Sequence, residues 1–205
     1  MRVGILGGAF NPPHIGHLVC AQEAISQLDL EKVVFVPTAR PPHREIEQDP
    51  GIEVRVELCE AAIAGDDRFE LSRIELDREG PSYTVDTLRE MHKASPGDEL
   101  FLLMGGDQAA ALSDWHEPEE VLKLAVVAAV ERVGHTRNAI SIKLGRLKGA
   151  RDVVVLQMPV MQVSSSLIRR RVADGKPIRY LVPERVEEYI RDRDLYGATT
   201  PAPAA

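Results

Sequence analysis

Only two cysteines, Cys20 and Cys59, occur in the 205 residues. That is too few for a disulfide framework, and the pair lacks metal-ligand spacing, so a reducing cytoplasm is the expected setting. Long apolar runs are also missing. The longest, Leu124 to Val130, falls far short of the roughly 20 residues a membrane helix needs. The chain passes from Val3-Gly4-Ile5-Leu6 straight into Gly7-Gly8 and Pro12-Pro13, which leaves no apolar segment of signal-peptide type. Positive charge is not in excess either. With 25 basic against 32 acidic residues the net charge is -7, which opposes non-specific attraction to nucleic acid or an anionic membrane. Any phosphate bound must be met by a local site.

The composition, 44% apolar and 28% charged, is that of an ordinary globule. The length favours one domain, expected over residues 1–195, with 196–205 a low-complexity tail with nothing to bury. Short apolar runs bounded by turn residues read as strands: Val3-Leu6, Val33-Val36, Phe69-Leu71 with Ile74-Leu76, Leu100-Met104, Val126-Val130 and Val153-Leu156. Between them lie helical stretches. The clearest carries Leu18, Ala21, Ile25 and Leu28 on one face; the others are Val54 to Ala64, Thr84 to Met91, Pro118 to Leu124, Ser165 to Val172 and Pro183 to Ile190. Pro118 and Pro183 suit a first helical turn. This alternation predicts an α/β, Rossmann-like, mainly parallel sheet with helices on both faces. Ligands of such sheets bind beyond the carboxyl ends of the strands, so the segments after the strands are the place to look. Thr38 to Gly51, with three prolines, and the basic stretch Gly134 to Ala150 are long enough to be functional loops.

The first strand leads into Gly7-Gly8-Ala9-Phe10-Asn11-Pro12-Pro13-His14-Ile15-Gly16-His17. Glycines at a strand-to-helix turn let backbone N–H groups approach phosphate, and the helix N-terminus adds partial positive charge. Neither the P-loop nor the Gly-x-Gly-x-x-Gly fingerprint is present. His14 and His17, three apart where the helix begins, can face one anion. A bare His-x-x-His pair is also compatible with an ordinary polar turn, and zinc is disfavoured because no Glu of a His-Glu-x-x-His motif and no cysteine cluster completes a site.

In its context this segment resembles the opening signature of the HxGH nucleotidyltransferase superfamily, with His14 to His17 spelling the HIGH tetrapeptide. The resemblance implies attack on the α-phosphate of a nucleoside triphosphate, with pyrophosphate leaving. Near the C-terminus, Val163-Ser164-Ser165-Ser166-Leu167-Ile168-Arg169 looks like the Ser-Ser-Thr-x-Ile-Arg element of small bacterial members. Ser164, Ser165 and Ser166, at a helix start, can hold triphosphate oxygens, with Arg169 on the face of Ser165. A serine cap with solvated arginines is the alternative, and Arg170 and Arg171 read as surface charge.

Three further segments narrow the resemblance to the bacterial nicotinate mononucleotide adenylyltransferase family: Arg40-Pro41-Pro42-His43-Arg44, Gly80-Pro81-Ser82-Tyr83-Thr84-Val85-Asp86-Thr87, and Gly105-Gly106-Asp107 followed by Trp115. It spans residues 2 to 195. It implies His14, His17 and Arg169 as catalytic residues. ATP contacts are implied for Gly7, Gly8, Ala9, Phe10, Gly105, Asp107, Arg132 and the three serines, and mononucleotide contacts for Thr38, His43, Arg44, Tyr83, Thr84 and Trp115. Trp115 can stack on a pyridine ring, although a lone Trp is often core; Arg132 also suits a surface position, and Asp86 and Asp107 suit helix caps. Ala9 departs from a frequent Ser or Thr, Thr38 and Arg40 occupy variable positions, and the 134–150 loop matches no motif.

The reaction so implied transfers the adenylyl group of ATP to nicotinate mononucleotide, with Mg²⁺ accompanying ATP on mostly water and substrate ligands and no dedicated protein metal ligand. ATP and nicotinate mononucleotide are the expected partners, without nucleic acid or membrane, and homo-oligomer formation is left open. Nicotinamide mononucleotide or phosphopantetheine as acceptor, or a non-catalytic nucleotide sensor, are the alternatives. A tRNA synthetase is disfavoured because no Lys-Met-Ser-Lys-Ser element occurs.

Overall fold

A computed structural model describes residues 1–42, 45–130 and 153–197. His43, Arg44, Arg132 and the 134–150 loop lie outside the described residues. In chain order the elements are β1 (Arg2–Gly8), α1 (Ile15–Leu28), β2 (Lys32–Pro37), α2 (Ile52–Ile63), β3 (Phe69–Leu71), α3 (Thr84–Ala94) and β4 (Glu99–Gly105). After these come α4 (Gly106–Ala110), a 3₁₀ turn (Leu112–Asp114), α5 (Pro118–Leu124), β5 (Val126–Val130), β6 (Val154–Leu156), α6 (Ser165–Ala173), α7 (Glu184–Asp192) and a final 3₁₀ turn (Leu195–Gly197).

The six strands form one parallel sheet in the order β3-β2-β1-β4-β5-β6. Period-two alternation divides the core. Ile5, Val34, Leu100 and Leu102 face a cluster with Val85 and Leu88 of α3 and Val121 of α5. Their neighbours Leu6, Phe35, Phe101 and Leu103 face Ala21, Ala24 and Leu28 of α1. Both faces are covered, as a parallel sheet requires. A third cluster packs α6 and α7 against Leu58 and Ala62 of α2, adding an outer layer on the α1/α2 side.

Pro118 takes the first-turn position, but Pro183 precedes α7 as its cap. Ile74-Leu76, expected to be strand, is a turn. The Ser72 N–H closes on the Phe35 carbonyl, and those of Leu76 and Asp77 both donate to the carbonyl of Arg73, so the chain curls once β3 has paired. Tyr196, expected to begin a disordered tail, lies in the final 3₁₀ turn, and its hydroxyl donates to Asn11 Oδ1 at 2.6 Å. A buried acceptor on β1's turn ties this end down, which composition does not reveal.

Gly4, in the central strand, shows how tightly the α1 side is filled. A Cβ there would lie 2.9 Å from both Leu30 Cδ1 and Val33 Cγ2 and 3.2 Å from Leu103 Cδ1. Gly4→Val should therefore overpack this layer by about 1–3 kcal/mol. The expected fall in melting temperature is roughly 2–12 °C; an unchanged melting curve would contradict the packing.

Candidate active site

The chain moves outward from β1 to β2 and β3, then crosses back to β4 on the other side of β1. This reversal opens a crevice beyond the carboxyl ends of β1 and β4, where ligands of open α/β sheets bind. Gly7 and Gly8 end β1, and Gly105 ends β4. A Cβ on Gly7 would meet nothing within 4 Å, so that face is open; on Gly105 it would sit 2.5 Å from Asp107 Oδ1, so the exposed Asp107 carboxylate would have to turn away. Asp107 is exposed in the first turn of α4.

The turn after β1 has its carbonyls occupied from outside. Gly8 O accepts from the Thr38 N–H at 2.8 Å, Ala9 O from Arg55 Nη1 at 2.8 Å, Asn11 O from Arg169 Nη1 at 2.9 Å and Pro12 O from Ser165 Oγ at 2.8 Å. Each bond draws a negative dipole end toward the protein. Phe10, at φ 49°, adopts the left-handed region that non-glycine residues avoid. Its ring is buried against those of His17 and Phe35, with centroids 5.0 and 5.7 Å away. The Phe10 side chain thus supports a histidine, which leaves only its backbone for the ATP contact expected of this residue.

His14 caps α1 and is buried; His17 is half-exposed one turn on. Their rings stack with centroids 3.8 Å apart. His17 donates its N–H to the His14 carbonyl at 2.9 Å, and the His14 N–H donates to His17 Nδ1 at 3.1 Å. Because Nδ1 accepts, a neutral His17 carries its proton on Nε2 and is a donor at its far edge. The glycine between them sits in a tight contact: a Cβ on Gly16 would lie 3.0 Å from Val163 Cγ1 and 3.1 Å from the His14 ring, so those neighbours would have to give by a few tenths of an ångström. Val163 precedes α6, so the same contact brings the N-termini of α1 and α6 together.

Ser164 caps α6, accepting from the Leu167 N–H, and Ser166 is exposed. Arg169 is buried, with every guanidinium nitrogen engaged. Besides Asn11 O, Nε donates to Gln48 Oε1 at 3.1 Å and Nη2 to Glu47 Oε2 at 2.9 Å. The structure thus brings the histidines, glycines, serines and Arg169 around one turn, with Arg169 gripping it from behind.

On the mononucleotide side, Thr38 is held through its backbone: the N–H goes to Gly8 and the carbonyl to Arg55. Arg40 and Ser82 lock the loops after β2 and before α3, the Arg40 N–H donating to Ser82 Oγ and the Ser82 N–H to Arg40 O. Tyr83 caps α3 and Thr84 is its first residue. The Tyr83 ring lies on His116, centroids 4.3 Å apart, and both Tyr83 and Trp115 are half-buried against the α3 core. Trp115 is therefore partly a core residue.

Residue-by-residue reading missed Arg55, Asn11, Glu75, His116 and Tyr196. Arg55 had a signal: it shares one helical face with Leu58, Cys59 and Ala62, an apolar stripe on which an arginine is out of place. Glu75 had none.

Known proteins resemble the chain in sequence and in fold. The cytidylyltransferase-like family matches residues 5–171. A probable nicotinate-nucleotide adenylyltransferase of Geobacillus thermodenitrificans is 41% identical over 199 residues, covering 97% of this chain and 88% of the relative. One of Thermus thermophilus is 43% identical over 196 residues, covering 96% and 100%. The chain belongs to the nicotinate-nucleotide adenylyltransferase family. Among solved structures, a Plasmodium falciparum nicotinic acid mononucleotide adenylyltransferase complexed with APC superposes with a TM-score of 0.77 at 17% identity, covering 97% of this chain and 98% of that one. The same protein complexed with NaAD gives 0.76 at 18%. At those identities the likeness concerns the fold, which this family member shares over nearly its whole length.

In this family member the segment that leads through Tyr83 into α3 rests on a buried carboxylate. Glu75 Oε1 accepts from Thr87 Oγ1 at 3.0 Å. Burial pushes the Glu75 carboxyl above the ordinary carboxylate range, against the hydrogen bonds of Ser82 and Thr87 and the charge of Arg78. With the folded pKa raised, the stabilisation from this group is complete below the unfolded glutamate value and is lost as pH rises through the folded one. Denaturant unfolding of wild type and Glu75→Gln should accordingly diverge, the variant gaining relative stability as the pH rises above the unfolded glutamate value of about 4.3. A difference that does not vary with pH would contradict this reading of Glu75.

Proposed function

We propose that the chain transfers the adenylyl group of ATP to the phosphate of nicotinate mononucleotide, giving nicotinate adenine dinucleotide and pyrophosphate in NAD biosynthesis. The observation that carries this is the turn after β1, whose carbonyls are tied back while the histidine pair lies beside it, in a chain whose full-length relatives bear this activity's name.

An oxygen of the mononucleotide phosphate attacks the α-phosphorus of ATP in line. The new P–O bond forms as the bond from the α-phosphorus to the bridging oxygen breaks, and the electron pair leaves with pyrophosphate. A phosphate monoester is already anionic near pH 7, its second pKa being about 6, so no general base is needed. Catalysis is positioning and charge stabilisation. His17 donates from Nε2 to the α-phosphate, His14 beneath it fixes the ring plane, and the amides of Ala9 and Phe10 with the α1 N-terminus complete the anion site, while Gly7 and Gly8, whose own amides pair within the sheet, leave room beside it. Ser164, Ser165 and Ser166 bring the α6 N-terminus to the leaving pyrophosphate. There a triphosphate oxygen competes for Arg169 Nη2 with Glu47, whose carboxylate is 81% exposed and so a weak partner.

Gly105, Asp107 and Arg132 receive the adenosine side of ATP. Thr38, His43 and Arg44 hold the mononucleotide phosphate, while Tyr83, Thr84 and Trp115 hold the nicotinate ring and its carboxylate at the α3 N-terminus. The turn's donors, imidazoles and amides, suit an anion, and no cluster of three or more His, Cys, Asp or Glu side chains able to hold a metal occurs among the described residues. Mg²⁺ accompanying ATP would be carried on triphosphate oxygens and water and would neutralise charge on the leaving group. No described helix is long and apolar enough to cross a membrane; buried Cys20 and Cys59 suit the cytoplasm.

The test is pyrophosphate release from Mg-ATP with nicotinate mononucleotide, nicotinamide mononucleotide and phosphopantetheine offered separately. Release should be fastest with the nicotinate substrate and fall by about 10²–10³ in His17→Ala, the usual loss of one such donor. Preference for another acceptor would overturn the substrate, and near-normal turnover of a folded His17→Ala would overturn the role of His17.

A further inference from the structure

Arg55 of α2 is wholly buried, yet nothing in the proposed chemistry uses it. Its guanidinium joins three segments distant in sequence. Nη1 donates to Ala9 O and to Thr38 O, each at 2.8 Å, and Nε donates to Asp49 Oδ1 at 2.9 Å. Ala9 belongs to the turn assigned to the α-phosphate, and Thr38 follows β2 on the side assigned to the mononucleotide. Asp49 lies in the loop that also supplies Glu47 and Gln48 to Arg169. One cation thus spans both halves of the site from behind.

We infer that Arg55 is a positioning residue for adenylyl transfer, setting the Ala9–Phe10 peptide against the α-phosphate and fixing its distance from the incoming mononucleotide. The inference rests on the proposed function. In a trans peptide the carbonyl and the following N–H point in opposite directions. By drawing Ala9 O toward α2, Arg55 turns the Phe10 N–H the other way, away from the buried guanidinium. Phe10 is held at φ 49°, and such a conformation persists only where its surroundings over-determine it. The ring contacts with His17 and Phe35 fix one side of that residue, and Arg55 fixes the peptide on the other.

The choice of arginine follows from the same geometry. Two carbonyls and a carboxylate lie around one plane, which a guanidinium fork serves and an ammonium does not. Nη2 is buried with no acceptor among the described residues, so Asp49 is the anion that balances the charge. The side chain of Asp49 is 33% exposed, so Asp49→Asn perturbs the same clamp with little effect on packing.

Arg55 touches neither substrate in this arrangement, so its loss should appear in turnover more than in ground-state binding. The experiment compares wild type, Arg55→Lys and Asp49→Asn in steady-state pyrophosphate release, with kcat expressed per folded molecule from circular dichroism. Arg55→Lys should lose about 10–10²-fold in kcat, the scale of a sub-ångström to one-ångström misplacement. The KM values for ATP and nicotinate mononucleotide should stay within about threefold, and Asp49→Asn should lose less in the same sense. If Arg55→Lys does not fold, Asp49→Asn decides. Unchanged kcat per folded molecule, or a loss confined to KM, would overturn the inference while leaving the activity standing. A wild-type protein silent with every acceptor would overturn the proposed function and this inference with it.

Discussion

A turn that is to receive an anion cannot leave its carbonyl oxygens facing the same space as its amides. In this chain that constraint is met by occupying the carbonyls of Gly8, Ala9, Asn11 and Pro12 from elsewhere, through Thr38, Arg55, Arg169 and Ser165. The donors come from the end of β2, from α2 and from α6. Elements that look peripheral to a six-stranded sheet therefore serve as the backing of its first loop.

The layering follows from this need. α6 and α7 pack on α2 through an apolar cluster of their own, and that cluster carries Arg169 and Ser165 to the turn. Tyr196 adds a bond from beyond α7 to Asn11, whose Nδ2 donates to the Glu47 carbonyl at 2.7 Å. Burying two guanidinium groups is costly unless they are paired and hydrogen-bonded. Both are paired, Arg55 with Asp49 and Arg169 with Glu47; Arg55 also holds the carbonyls of Ala9 and Thr38, and Arg169 the Asn11 carbonyl and the Gln48 side chain.

Much of this was legible in the sequence. Parallel strands, the helices on both faces and the histidine pair at the start of α1 followed from period-two runs, helical spacing and the Gly7 to His17 segment. What escaped has physical reasons. Ile74-Leu76 has strand-like residues but no neighbour left to pair with once Ser72 closes on Phe35. Phe10 sits in a motif read for phosphate, while its ring points into the core, a direction set by a left-handed backbone that residue type does not encode. The partners Arg169 holds in this structure, the Asn11 carbonyl and the 47–48 loop, are distant in sequence, and its spacing from Ser165 does not encode them. Tyr196 lies where composition turns to a Gly/Ala/Thr/Pro tail, and the distant Asn11 and the apolar cluster of α2, α6 and α7 give it a place.

The central claim is that the site presents donors outward and keeps its acceptors behind, and His17 is where that claim is sharpest. Its Nδ1 accepts from the His14 N–H, so the ring proton must sit on Nε2. Long-range ¹H–¹⁵N spectra of the histidine-labelled protein, with His17 assigned by His17→Gln, read the tautomer directly. The account predicts a neutral His17 protonated at Nε2, with Nδ1 in the acceptor range. A proton on Nδ1 would mean that the His14–His17 cap is not formed and that the outward face of the site is not the donor surface described.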